Sequence, residues 1–303
     1  MTHFGEFIAL LTAVCWTVSA LAHSYASERI GSLNVNLLRL LLAMLFFSLL
    51  SLIRTGYPVP FFIPPSSWFW LSVSGLVGFV FGDLCLLKAY TVLGARISML
   101  IMTLAPAVAA ITGLLVLDES LSFLSISGML ITLLGISIVI LNRTDEIKGE
   151  VRSFKMRFGG YSKKGILLAF GGAVGQGIGI VLSKLGMQNS DPFASTQIRV
   201  IAGIGGFLAI TLLSRKGKFF INSLKDVAAC KSVIIGSFFG PFLGVSLSLL
   251  SIKNTATGIA STLMAIVPIL IIPPAIWLFK EKINKHDLFG AVVAVTGIAL
   301  FFI

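Results

Sequence analysis

Charge is what this 303-residue chain has least of: Asp, Glu, Lys and Arg make up 12% of it, half of the roughly 25% usual in a soluble domain. Histidine and cysteine are scarce too, at three each. Cys15, Cys85 and Cys230 form no CxxC pair, so neither a disulfide framework nor a zinc site is indicated. The only imidazoles are His3, His23 and His286, and no GxSxG, HExxH or DxxxD pattern occurs. Nucleophile–base pairs and metal-dependent hydrolysis therefore have few groups to draw on. No metal and no cofactor is expected. Acids are outnumbered by bases, 12 to 23, for a net charge of +11. In a soluble protein that excess would suggest nucleic acid. Here the bases lie between apolar runs, without a basic stripe interleaved with aromatics, so no nucleic-acid partner is expected.

What is present is apolar length. Hydrophobic residues make up 56% of the chain, and the mean hydropathy is +1.00. Apolar runs fall at about 4–22, 33–53, 68–88, 95–117, 122–141, 165–187, 193–213, 231–251, 257–279 and 287–303. Each is close to the roughly 20 residues that cross a bilayer core about 30 Å thick as a helix. Barrel strands would be shorter and would alternate apolar with polar. The first run lacks a basic leader and reads as a span, not as a cleaved signal. The composition therefore predicts an all-α membrane protein of ten transmembrane helices, embedded in the lipid bilayer of a cell (inner or plasma) membrane.

Basic residues orient it. With the spans numbered, eighteen Lys and Arg fall on one side, seven of them in the 142–164 linker, and three (Arg54, Lys184, Lys253) on the other. Positive loops stay cytoplasmic, which places the linker inside and both termini outside. The halves flanking that linker, 1–141 and 165–303, are copies. Gly5 aligns with Gly165 and Arg39 with Arg199 at an offset of 160. Beyond the third span the offset is 162: Gly78 and Gly82 align with Gly240 and Gly244, Pro106 with Pro268, Glu119 with Glu281, Gly128 with Gly290, and Gly135 with Gly297. Five spans per copy is an odd number, so the copies enter the membrane in opposite senses. Two inverted five-helix repeats are a signature of secondary transporters, whose site lies near the midplane where the repeats meet.

Each repeat has an Arg early in its second helix (LLRLLLA around Arg39, QIRVIAG around Arg199). Each also has a mid-helix Pro and a following Glu in its fourth, in LAPAVAAITGLLVLDE (104–119) and IVPILIIPPAIWLFKE (266–281). In this order and duplication the chain resembles the EamA-like family of the drug/metabolite transporter superfamily, over nearly its whole length. The resemblance implies an exporter or permease of amino acids, metabolites or drugs. Small multidrug resistance relatives carry a Glu within the first helix that binds cation or proton; here the first span has only Glu6, near its outer end. The expected function is secondary transport of a small-molecule solute, such as an amino acid, by alternating access in a chain that acts as a monomer. An intramembrane enzyme or a non-transporting scaffold is the alternative.

Ionisable and polar groups inside spans are costly in hydrocarbon and so mark candidate sites. Arg39 and Asp83 are placed at similar depth toward the cytoplasmic face, where they can pair; Arg199, toward the other face, has Val245 where its repeat would need the acid. Trp16, Ser19 and His23 share a helical face, Gln176 is the repeat image of Trp16, and Tyr90, Ser246 and Ser248 join them as cavity candidates. Pro106 and Pro268 each remove an intrahelical donor and free the carbonyls of Met102 and Met264, which makes them candidate hinges or cavity walls. Gly171, Gly175 and Gly179, like Gly236, Gly240 and Gly244, recur every fourth residue, the spacing of close helix packing. Glu119 and Glu281 read as solvated helix ends.

Overall fold

The computed structural model describes residues 3–93, 98, 101–142, 146–147, 150–151, 162–213, 217–270, 274 and 285–300. Most of the 142–164 linker, and Glu281, lie outside them. Helix α1 covers Phe4–Ile30 and α2 covers Ser32–Thr55. Gly56 ends α2 in the left-handed conformation (φ +77°), its N–H returning to the Leu52 carbonyl; glycine adopts that conformation without steric cost. The proline-rich loop then delivers Pro65 to the first turn of α3, where a missing N–H costs nothing.

Helix α3 is continuous in three pieces: Pro65–Gly75, a π-helical Leu76–Gly82, and Asp83–Leu93. It runs past the expected end at 88, so Asp83 lies deeper along its helix than the apolar run implied. Helix α4 is Ala105–Leu117 and α5 is Phe123–Asn142. A two-residue antiparallel pairing, Glu146–Ile147 with Glu150–Val151, sits in the linker. In the second half α6 is Lys163–Met187 and α7 is Pro192–Leu213. After a short helix at Gly217–Ser223 comes α8: Val227–Ser237, a π-helical Phe238–Gly244, and Val245–Asn254. Helix α9 is split into Thr257–Met264 and Val267–Leu270, and α10 is Lys285–Ala299.

Among the described residues six helices are long and apolar enough to cross a membrane, and they are the first three of each half. The fourth and fifth helices are shorter where described. The proline explains the fourth. Chain turns at 103–104 and 265–266 interrupt the helix two residues before Pro106 and Pro268, so each proline opens a new helical segment instead of kinking a continuous one. The Met102 and Met264 ends of the preceding segments are left at the break. Outward faces are apolar: Leu130, Leu134, Val292 and Val295 on α5 and α10 are all exposed. A contiguous apolar exterior is a liability in water and is suited to lipid. The chain is a multi-pass membrane protein.

The halves pack reciprocally. Helix α3 lies along α6, and α8 lies along α1; α3 also meets α7, and α8 meets α2. Helices α5 and α10 pair with each other. The α3–α6 contact is backbone to backbone: a Cβ on Gly175 would sit 2.8 Å from Gly82 Cα, and one on Gly179 would sit 3.0 Å from Gly78 Cα. At the start of α8, Asp226 accepts from the Ala229 N–H (3.0 Å) and from Arg29 Nε (2.8 Å), and these two bonds hold its carboxyl below the usual range. It is an N-cap that also ties α8 to the end of α1.

Candidate functional site

A cavity of about 370 Å³ lies at the centre of the bundle. Residues from both halves line it, and most come in repeat-matched pairs: Trp16 with Gln176, Ala20 with Ile180, Arg39 with Arg199, Phe79 with Pro241, Asp83 with Val245, Leu86 with Ser248, Met102 with Met264, Thr103 with Ala265, and Ala105 with Val267. The backbone positions are paired while the chemistry mostly is not. Only the arginines and the methionines repeat in kind.

Arg39 Nη2 forms an ion pair with Asp83 Oδ2. The other carboxylate oxygen accepts from Gln176 Nε2 at 2.9 Å, and the same amide reaches the Gly78 carbonyl at 3.3 Å. Gly78 lies in the π-helical turn of α3, whose wider hydrogen-bonding ring loosens the local ladder; such turns are frequent at functional sites. Gln176 belongs to the second half and Asp83 to the first, so this bond crosses between repeats. Arg199 is 5% exposed. Its Cζ lies over the Phe79 ring, 4.8 Å from the centroid, and its Nε is buried without a hydrogen-bond partner. It is not remote from the pair as its repeat position suggested: it lines the same cavity and lies within electrostatic reach of Asp83. The reason is that α7 packs on α3 next to Gly75 and Gly78.

At the end of the bundle away from the linker, a second polar cluster joins the halves. Glu119, after α4, pairs with Lys184 at 2.6 Å and accepts from the Thr257 N–H (2.7 Å) and hydroxyl (2.6 Å). Lys184 also donates to the Thr255 carbonyl at 2.8 Å, and the Thr255 hydroxyl donates to Glu6 at 2.8 Å. The reading of Glu119 as a solvated helix end is therefore corrected. Its side chain is 14% exposed, because the α8–α9 turn folds over it.

The EamA-like transporter family model matches residues 3–141 and again 163–303, covering both halves of this bundle. The chain belongs to the EamA-like transporter family. The members of that family are membrane transporters. One solved protein crystal structure is similar to this EamA-like chain with a TM-score of 0.72 at 15% identity, over 99% of this chain and 96% of the other, a likeness of fold alone. No curated protein matches.

Of the residues singled out in the sequence, the EamA-like fold brings Trp16, Ser19, Arg39, Asp83, Pro106, Gln176 and Arg199 to the cavity wall. His23 is not among the lining residues. Its ring is packed against Gly236, where a Cβ would meet Nε2 at 2.5 Å, and Nδ1 meets Ser19 Oγ at 3.1 Å; α8 closes over it. The side chains of Tyr90 and Pro268 lie outside the described residues. Sequence reasoning missed Phe79, Thr103 and Ser261 as lining groups. Phe79 had a signal, lying one helical turn before Asp83. Val245 had another: it is the repeat image of Asp83. Of the serine candidates on α8, Ser248 lines the wall and Ser246 is not among the lining residues.

Proposed function

We propose that this EamA-like protein is a secondary transporter, exporter or permease, that moves a small metabolite across a cell membrane by alternating access. In this reading the domains are the repeats 1–141 and 165–303, each of five spans in opposite senses, joined by the cytoplasmic 142–164 linker with both termini outside. The partners are the solute and the bilayer; neither nucleic acid nor a second copy of the chain is required. One observation carries the proposal: the central cavity is lined by repeat-matched positions of both halves. A cavity on the symmetry relation of two inverted repeats can open to either face by the same motion. The Glu119–Lys184–Thr257 cluster supplies the closure that one face needs, because breaking it separates the first repeat from the second at that end.

An intramembrane enzyme finds less support. Asp83, the one acid among the described lining residues, is already held by Arg39 and Gln176, which leaves no free carboxylate among them to act as a base. A scaffold gives no reason for charged groups around a cavity. Solute counterflow into proteoliposomes, run with amino acids and with organic acids, tests the reading. Accumulation that depends on internal solute supports transport. Equilibration no faster than in protein-free liposomes for every solute class rejects it.

A further inference from the structure

We infer that the cavity binds a small organic monoanion with an apolar body, and that Arg199 is its anion-binding residue; this rests on the transport reading for its physiological meaning, though not for its test. Three groups in the described wall carry formal charge: Arg39, Asp83 and Arg199. Two of them cancel, since Arg39 and Asp83 are paired, and Gln176 holds the second oxygen of Asp83. That leaves one net positive charge, with no carboxylate in direct contact with Arg199 among the described residues. Arg199 is buried to 5% exposure, and among the described residues it has neither a hydrogen-bond acceptor nor an ion-pair partner. Its Cζ lies over the Phe79 ring, a contact with the π-face that occupies no acceptor. The guanidinium N–H groups, which make no hydrogen bond among the described residues, form the planar fork that fits a carboxylate. A buried, unpartnered charge is costly, and an anion entering the cavity would relieve it.

The rest of the wall sets the body of the ligand. Trp16, Phe79, Ile180, Met102 and Met264 are apolar, and the two methionines adapt their shape, with thioethers that suit aromatic contacts. A free ammonium on the ligand would find no unpaired carboxylate among the described lining residues, and the carbonyls at the Met102 and Met264 breaks offer it only neutral acceptors, so the cation of a zwitterion would leave water without a counter-ion. The geometry therefore favours a simple carboxylate over the amino acid of the same skeleton. Ser261 Oγ, in the wall and without a partner, is available as a second donor.

The test is equilibrium binding to the purified full-length protein in detergent, with three probes of one shape: 3-phenylpropanoate, 3-phenylpropanamide and phenylalanine. The expected result is that 3-phenylpropanoate binds at least ten-fold more tightly than either of the other two. In Arg199→Gln that preference should fall to about two-fold or less, while Arg199→Lys retains part of it. If Arg199→Gln does not fold, the three-probe comparison on the unmodified protein decides alone. Equal binding of carboxylate and amide, tighter binding of phenylalanine, or no saturable binding of 3-phenylpropanoate at millimolar concentration overturns the inference. Saturable anion binding together with absent counterflow would instead sustain the site and reject the transport reading.

Discussion

Asp83 is where a single residue carries most. It neutralises Arg39, accepts from Gln176 across the repeat boundary, and leaves Arg199 as the unbalanced charge. Removing one partner of a partly buried pair strands the other, at a cost of up to about 3 kcal/mol. Asp83→Asn should therefore lower the melting temperature of the purified protein. Replacing both members with apolar residues, Arg39→Met with Asp83→Leu, should recover part of that loss. A double-mutant cycle on thermal stability measures the coupling, and a value of zero would show that the pair contributes nothing. Glycines give a second contrast at this scale. Gly175→Ala drives a Cβ to 2.8 Å from Gly82 Cα, backbone that can yield only by parting α3 from α6, and should destabilise by about 1–3 kcal/mol. Gly205→Ala meets nothing within 4 Å and should be neutral or stabilising by about 0.5–1 kcal/mol. Equal melting temperatures for the two variants would mean that the α3–α6 approach is not tight.

The interrupted fourth helices are the element on which motion depends. In both repeats the chain leaves the helix just before the proline, and the methionine at the break lines the cavity. Pro106→Ala and Pro268→Ala restore the missing donor and favour a continuous helix by about 3 kcal/mol relative to proline. Each should reduce solute counterflow at least five-fold while melting within a few degrees of the parent. Full activity in both variants would remove any hinge role. The sequence made these positions visible because proline acts locally, through its own N–H. It did not show that α3 and α8 turn π-helical over seven residues, since no residue type demands that geometry; only the carbonyl-to-Gln176 bond across the interface reveals its use. Nor was the Glu119 cluster legible: Glu119, Lys184 and Thr257 lie in three segments that only the folding of one half onto the other brings together. The duplication was a better guide than composition, because it marked Arg199, Val245 and Gln176 through partners in the other half.

For the whole molecule, the base distribution predicts sidedness. With the native cysteines replaced by alanine, a single cysteine at position 150 should resist an impermeant maleimide in intact cells and react in inverted vesicles; reaction in intact cells would reverse the orientation. The central claim, that one cavity opens in turn to the two faces, is tested most directly without knowing the solute. A single cysteine at Ser248, in the cavity wall, is labelled with the same reagent in right-side-out and in inverted vesicles, with and without Glu119→Gln. With the Glu119–Lys184–Thr257 cluster intact, labelling should come mainly from the linker side. Breaking the cluster should raise labelling from the side of the termini and lower it from the linker side. Labelling from both sides that rises together would indicate an open channel, and labelling from one side that ignores the substitution would indicate a fixed pocket; either result contradicts alternating access.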